Sequence, residues 1–219
     1  CDSLFGHLWR RAISVFQLLT PPFARSGLDP GYIKGYVPGV RETGGKYTHA
    51  AIWAGMAFAA LGDSHRAWKI LRMINPILHG VDDETVNTYK VEPYVVSADV
   101  YAVAPHEGRG GWGGYTGSAG WMYRLITESL LGFSGADGRI TLRPLLPAEW
   151  EGFELYYRHN ATGYRIVVKK TADPDEERLV LDGEVRKDGA IPLASDGVEH
   201  QVEVWCSGAG KERETVQDV

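Results

Sequence analysis

Apolar residues recur along this chain with two different periods, and the change from one to the other falls near Gly132. In THAAIWAGMAFAAL (48–61), Ala50, Trp53, Ala57, Ala60 and Leu61 stand at the spacing of one helix face. Gly62 breaks this run and Asp63-Ser64 restarts it. HRAWKILRMIN then carries Trp68, Leu71 and Ile74 on one stripe, and Pro76 stops it. The two segments predict an antiparallel helix pair. A third helix opens at Thr116 or Ser118, runs through WMYRLITESLL and meets a glycine cap at Gly132. Beyond Gly135 the period becomes two, at Ile140 and Leu142, at Phe153, Leu155 and Tyr157, at Tyr164, Ile166 and Val168, at Leu179 and Leu181, and at Val202 and Val204. Turn signals at Asn160 to Gly163, Asp182-Gly183 and Asp188-Gly189 separate these runs, which predicts a meander of short antiparallel strands. Helices first and strands after give an α+β chain, an α domain followed by a β-sandwich. The expected division is 1–134 helical, 135–206 sandwich and 207–219 a polar, flexible tail.

The 219 residues are 44% hydrophobic, ample for a sizeable core. A net charge of -5 without a Lys/Arg cluster gives no footprint for DNA, RNA or an anionic membrane. No apolar run approaches the roughly 20 residues a membrane helix needs, and no secretory signal leads the chain, so a cytoplasmic location is expected. Cys1 and Cys206 are far apart, which argues against a disulfide framework and a thiolate metal site. The chain opens on Cys and runs into FGHLWRRAISVFQLLTPPF, an apolar-aromatic stretch that wants neighbours. A piece of something longer is expected.

Between Gly39 and Tyr123 lie three dense polar-aromatic blocks, VPGVRETGGKYTHAA, YKVEPYVVSADVYAVAPHEGRGGW and YTGSAGWMYR. They hold more Gly, Arg, Glu, His and Tyr than a core requires, the composition of a cleft for sugar and phosphate. Thr116-Gly117-Ser118 opens a helix whose free amides form a ready anion site, the alternative being a plain Ser/Thr cap. His49 adds a donor whose charge is adjustable near neutral pH, the alternative being a surface or capping histidine. Arg41 and Glu42 suit directional bonds to sugar hydroxyls, or form a surface pair with no role. Glu92, with Lys90 and Tyr94 in YKVEPY, reads as cleft-lining and Asp99 as structural, since nothing fixes the separation an acid-base pair would need. Arg109 is a candidate anion contact and Trp112 a stacking platform.

Several blocks in this order, from TPPF through PGYIKGYVPGVRETGGKYTHAA, RMINPILH, YKVEPYVVSADVY, GRGGWGGYTGSAGWMYR and LLPAEWEGFELYYR, resemble the C-terminal part of glycoside hydrolase family 94. Within that family the likeness is to the phosphorylase domain of cyclic β-1,2-glucan synthases, over roughly Leu18 to Val168. The resemblance implies the last helices of an (α/α)6 barrel followed by a small antiparallel β-sandwich. It implies an inverting transfer between inorganic phosphate, as co-substrate, and a β-glucan or gluco-oligosaccharide, with no organic cofactor and no metal. Phosphate falls to His49, Thr116 and Gly117. The acceptor sugar falls to Arg41 and Glu42, and the rest of the substrate cleft to Lys90, Glu92, Tyr94, Arg109, Trp112 and Tyr115.

Two departures bear on activity. Thr43 stands where the family usually has Asn, and Gly113-Gly114-Tyr115 replaces the usual Trp-Tyr pair. The family's general acid is an Asp in a Trp- and Asn-containing motif that does not occur in these residues. No catalytic residue is therefore assigned, and the upstream part of the barrel becomes the implied partner, in a longer chain or a complementary one. A homodimer is compatible with this reading, as is the cytoplasmic domain of an inner-membrane glucan synthase. The alternatives are a hydrolase on the same barrel and a non-catalytic remnant that binds glycan.

Overall fold

The structure is a computed structural model that describes residues 2–25 and 27–207, so Cys1 and all of the expected tail except Ser207 lie outside it. Helix α1 (Asp2–Leu8) leads into two short antiparallel strands, β1 (Trp9–Arg10) and β2 (Val15–Phe16). Single 3-10 turns follow, and then β3 (Lys46–Tyr47) runs straight into α2 (Thr48–Ala60). Gly62, with φ of 78°, separates α2 from α3 (Ser64–Ile74). Asn75 accepts from the Ile77 amide and Pro76 ends the helix. Helix α4 (Asp83–Tyr89) opens on a capping box, in which the Asp82 carboxylate accepts the Thr85 amide and the Thr85 hydroxyl accepts the Asp82 amide. Strands β4 (Asp99–Val100) and β5 (Gly110–Gly111) join β3 in a three-stranded sheet of order β3-β4-β5. Helix α5 (Thr116–Arg124) widens into a π-helical stretch, Leu125–Leu130, and stops at Gly132.

The described residues divide into two compact units, one within 1–58 and 66–125, the other within 59–65 and 126–219. The end of the helical run thus groups with the strands rather than with the helices, a division at Leu125 instead of 134.

In the first unit, α2 buries Thr48, Ala51, Ile52, Gly55 and Phe58. The stripe through Trp53 and Ala57 faces outward, with Trp53 53% exposed. The helix is apolar on nearly every side, so periodicity alone leaves its inward face open. Gly55 decides it, because a Cβ there would stand 3.3 Å from both Ile70 of α3 and Leu125 at the end of α5. Three helical segments close on that one small residue.

The second unit is built from two sheets. The three-stranded one has β6 (Phe133–Ala136), β7 (Arg139–Leu142) and β12 (Ala190–Pro192) in the order β12-β7-β6. The five-stranded one has β8 (Gly152–His159), β9 (Thr162–Lys170), β10 (Arg178–Leu181), β11 (Glu184–Val185) and β13 (Glu199–Cys206) in the order β11-β10-β13-β9-β8. Two of the three signalled turns are hairpins, that at Asn160 joining β8 to β9 and Asp182-Gly183, at φ 49° and 86°, joining β10 to β11, whereas Asp188-Gly189 lies between β11 and β12 of different sheets. A simple meander is not what forms, however, because β13 pairs parallel with β9 and antiparallel with β10. Tight turns mark neighbouring hairpins and carry no information on where the last strand inserts.

The alternating residues meet in rows across this sheet. Phe153, Val168, Val204 and Leu179 align in register, as do Leu155, Ile166, Val202 and Leu181. Ile140, Leu142 and Ile191 of the smaller sheet complete the core against them. Among the described residues no helix is long and apolar enough to cross a membrane.

Gly132, at φ 71°, holds the turn between the helical run and β6, where a Cβ would fall 2.1 Å from the Arg143 carbonyl. Gly132→Ala is expected to destabilise this unit by about 1–3 kcal/mol or more, from both the left-handed backbone and the clash. A urea midpoint equal to that of the parent chain would contradict this.

His200 stacks on Tyr164 and bonds Asp182 through Nδ1 (2.7 Å) and Asp196 through Nε2 (3.2 Å). The bond to Asp182 raises the His200 pKa. Burial opposes the Asp182 charge, but the bonds from His200 and the Gln201 amide hold its pKa below the ordinary carboxylate value, and the Val198 amide leads the same effect at Asp196. The His200 contribution is full below about pH 6.5 and fades as pH rises through its higher folded value, whereas the aspartate contributions appear above about pH 3.9 and fade as pH falls through their lower folded values. The cluster therefore stabilises most between about pH 4 and 6.5. His200→Gln should flatten the loss of stability between about pH 6.5 and 8 in thermal melts across that range.

Candidate functional site

The β3-β4-β5 sheet is the scaffold of the polar blocks. Its register sets Tyr47 opposite Asp99 and Asp99 opposite Gly111, and Lys46 opposite Val100. Side chains alternate across a strand, so Tyr47 and Asp99 share one face and Lys46 and Val100 the other. Paired glycines at 110 and 111 let β5 lie flat between two tyrosines. A Cβ at Gly110 would meet Tyr89 at 2.9 Å, and one at Gly111 would meet Tyr101 at 2.8 Å.

Two helices start beside one another from this sheet. The Thr48 amide, at the start of α2, donates to Ala98 O (2.8 Å), and the Ala98 amide donates to Trp112 O (3.1 Å). The Tyr115 amide, just before α5, donates to Val96 O (3.2 Å). Residues 96–98 thereby tie both helix starts together, and the hydroxyls of Tyr47 and Tyr115 meet at 3.0 Å. Burial, reinforced by that hydrogen bond, pushes the Tyr47 phenol up to about 12.

The two predicted phosphate groups come together here. A Cβ at Gly117 would stand 3.9 Å from His49 Cε1. The His49 ring is stacked on Tyr47 (5.9 Å between centroids) and meets Trp53 at 5.0 Å and Trp121 at 5.9 Å. No Ser or Thr hydroxyl caps α5. Its N-cap residue is Tyr115, whose side chain makes no capping bond, and the first amide returned to the helix is that of Ala119, to Tyr115 O at 3.2 Å. Among the described residues the amides of Thr116, Gly117 and Ser118 donate to no backbone carbonyl, and Thr116 and Gly117 are exposed. The buried hydroxyls of Ser118 and Thr48 also lack partners among the described residues.

Beside this pair lies the Arg41 loop. Arg41 has φ of 43°, an uncommon backbone for a side chain of its size. Its Nε donates to Asp99 Oδ1 at 2.7 Å, and its guanidinium lies 4.3 Å from the Trp112 ring centroid and 5.1 Å from that of Tyr47. Arg41 Nη2 and Glu42 Oε2 are buried without partners among the described residues. Burial pushes the Asp99 carboxyl up, and the Arg41 bond and the Lys46 charge offset part of that rise. Burial works against the Arg41 charge too, but Asp99 more than compensates and holds its pKa above the ordinary value. Thr43 closes the loop, with its hydroxyl 2.5 Å from the carbonyls of Val37 and Val40.

The remaining sequence candidates are dispersed. Lys90 ends α4 in the left-handed region and is exposed. Tyr94 is also exposed, and Arg109 accepts the Tyr101 amide through its backbone carbonyl. None of these three side chains bonds or stacks with the His49–Arg41 cluster among the described residues. Glu92 lies nearer, its Oε2 3.2 Å from where a Cβ on Gly113 would be, and Gly114 has φ of 69°. The loop is thus shaped for the two glycines that replace an aromatic. Among the described residues no group of three His, Cys, Asp or Glu side chains is arranged to hold a metal ion.

Sequence reasoning left out Tyr47, Trp121 and the partnership of Asp99 with Arg41. A signal for the last existed, since an acid flanked by Ala98 and Val100 in a strand is bound for the interior and demands a cation.

The profile of the glycosyl hydrolase 94 superfamily, catalytic domain, matches residues 8–132. The chain belongs to this family. Its family relatives include the cyclic beta-(1,2)-glucan synthase NdvB of Rhizobium meliloti (strain 1021), 45% identical over 186 residues, a match that covers 85% of this chain and 7% of that protein. The solabiose phosphorylase of Paenibacillus borealis is 29% identical over 192 residues, covering 85% and 24%. The N,N'-diacetylchitobiose phosphorylase of Vibrio proteolyticus is 27% identical over 195 residues, covering 86% and 23%. The chain thus spans a quarter or less of the length of these relatives.

Asp99→Ala would leave the buried Arg41 guanidinium without its carboxylate and remove the negative charge nearest Lys46. The loss expected is about 3–5 kcal/mol of stability in the first unit, read by urea denaturation. A change below about 1 kcal/mol would show that the pair is not structurally important.

Proposed function

We propose that this chain carries the phosphate and acceptor-sugar sites of an inverting β-glucan phosphorylase, or of the equivalent domain of a cyclic glucan synthase. The observation that supports this most directly is the uncapped start of α5 with His49 beside Gly117. Three amides aimed out of a helix start, a threonine hydroxyl and an imidazole make a cradle for an oxyanion. In this reading the helices are the last ones of an (α/α)6 barrel. Its upstream part, in a longer chain, supplies the rest of the cleft and the general acid, on the cytoplasmic side.

The roles follow from the chemistry of the groups. Phosphate held by Thr116, Gly117 and His49 attacks the anomeric carbon of a β-glucosyl unit while an acid on the opposite face protonates the departing oxygen. Arg41 and Glu42 each keep a buried polar atom without a partner among the described residues, and such atoms suit the hydroxyls of a neutral sugar. Trp112 offers its exposed ring to a sugar face while its other side rests on Arg41. No metal or organic cofactor enters these steps.

In the complete protein, Thr116→Ala and His49→Ala are each expected to weaken the apparent affinity for phosphate about tenfold or more, about 1.4 kcal/mol. Initial rates against phosphate concentration test this. Unchanged phosphate dependence in both variants, or glucose release without phosphate, would defeat the assignment.

A further inference from the structure

On the Lys46 face of the β3-β4-β5 sheet, away from Tyr47 and Asp99, the first unit holds a cavity of about 190 Å³. Val15, Met73, Tyr89 and Val100 supply apolar lining, and Lys46 and His79 are among its polar lining residues. Lys46 is 2% exposed. Its ammonium has no hydrogen-bond or ion-pair partner among the described residues. Asp99 lies on the far face of the sheet and acts on it only through space. His79 Nε2–H donates to Met73 O (3.1 Å) and its ring stacks on Tyr89 (4.5 Å), so this imidazole is committed to the wall. Burial, with the Lys46 charge behind it, lowers the His79 pKa. Glu84 and Thr88 line the rim, both exposed, and Glu84 forms no ion pair with Lys46.

A buried cation whose nearest carboxylate lies across the sheet and bonds to Arg41 instead is costly, and the space in front of it is large enough for a guest. The walls decide what kind. A bare inorganic ion would lose its hydration against apolar surface and gain one contact. An organic anion with an apolar body suits both kinds of lining at once. A cavity of about 150 Å³ accepts benzene, which sets the scale for the apolar body.

We propose that this cavity binds a small monocarboxylate with an apolar body about the size of benzoate, its carboxylate on Lys46 and its ring against Met73, Tyr89 and Val100. Lys46 and Tyr47 leave β3 on opposite faces, so this site is separate from the proposed phosphate site and stands or falls without it.

The test is calorimetric titration of the full chain with benzoate, with the Lys46 and His79 signals followed by NMR. Saturable binding that moves both signals is expected. Lys46→Met keeps most of the side-chain volume and removes the charge, and should weaken binding about tenfold or more. Benzyl alcohol, with the same ring and no charge, should bind the parent chain weaker by a similar factor, a comparison that decides the matter even if Lys46→Met does not fold. Non-saturable binding, equal affinity in Lys46→Met or equal affinity for benzyl alcohol would overturn the proposal. Inorganic phosphate displacing benzoate at equal concentration would overturn it as well.

Discussion

A carboxylate taken out of water must be met by positive charge, and meeting that demand at Asp99 organises the middle of the first unit. Arg41 answers it from a loop and accepts an unfavourable left-handed backbone to do so. Tyr47 is then held beside the guanidinium, Trp112 lies over it, and the strand carrying Asp99 continues into the segment that fixes the starts of α2 and α5. The side-by-side placement of those helix starts is thus a consequence of one buried charge and six short-strand residues. Without such a tie, two-residue strands would have little reason to persist.

The strand-rich unit was the more legible half of the chain. Every alternating residue from Ile140 to Val204 sits in the rows of its core or packs against them, because period two and a one-sided interior leave little freedom. The hairpin turns were legible for a local reason, as Asp-Gly and Asn tolerate positive φ. Less was readable where a choice is made by tertiary contact. The helix α2 exists where its sequence says, yet its inward face is chosen by Gly55 and its neighbours rather than by its apolar pattern. The structural duty of Thr43, which replaces a usual Asn, lies in carbonyls three and six residues upstream.

The candidate site was legible as motifs and not as geometry. YTHAA and YTGSAG are 66 residues apart from His49 to Tyr115, and nothing in either says that they meet at a pair of tyrosine hydroxyls. What the structure adds is a set of unsatisfied groups on one cluster of elements: the α5 amides, Thr48, Ser118, Arg41 Nη2 and Glu42 Oε2. Folded chains rarely leave buried polar atoms alone. Their concentration on the residues that carry the family resemblance is the pattern expected where local stability yields to recognition.

The position of β13 has its own consequence for how the second unit comes into being. This strand ends at Cys206 and yet occupies the middle of the five-stranded sheet, between β9 and β10. During synthesis the β8–β9 hairpin can form early, and so can the short β10–β11 pair, but the two remain separate ribbons with open inner edges until the last strand leaves the ribosome. Those edges are what other chains add to most readily. The sheet therefore closes late and all at once, and a nascent chain that pauses before residue 199 is at its most exposed to aggregation.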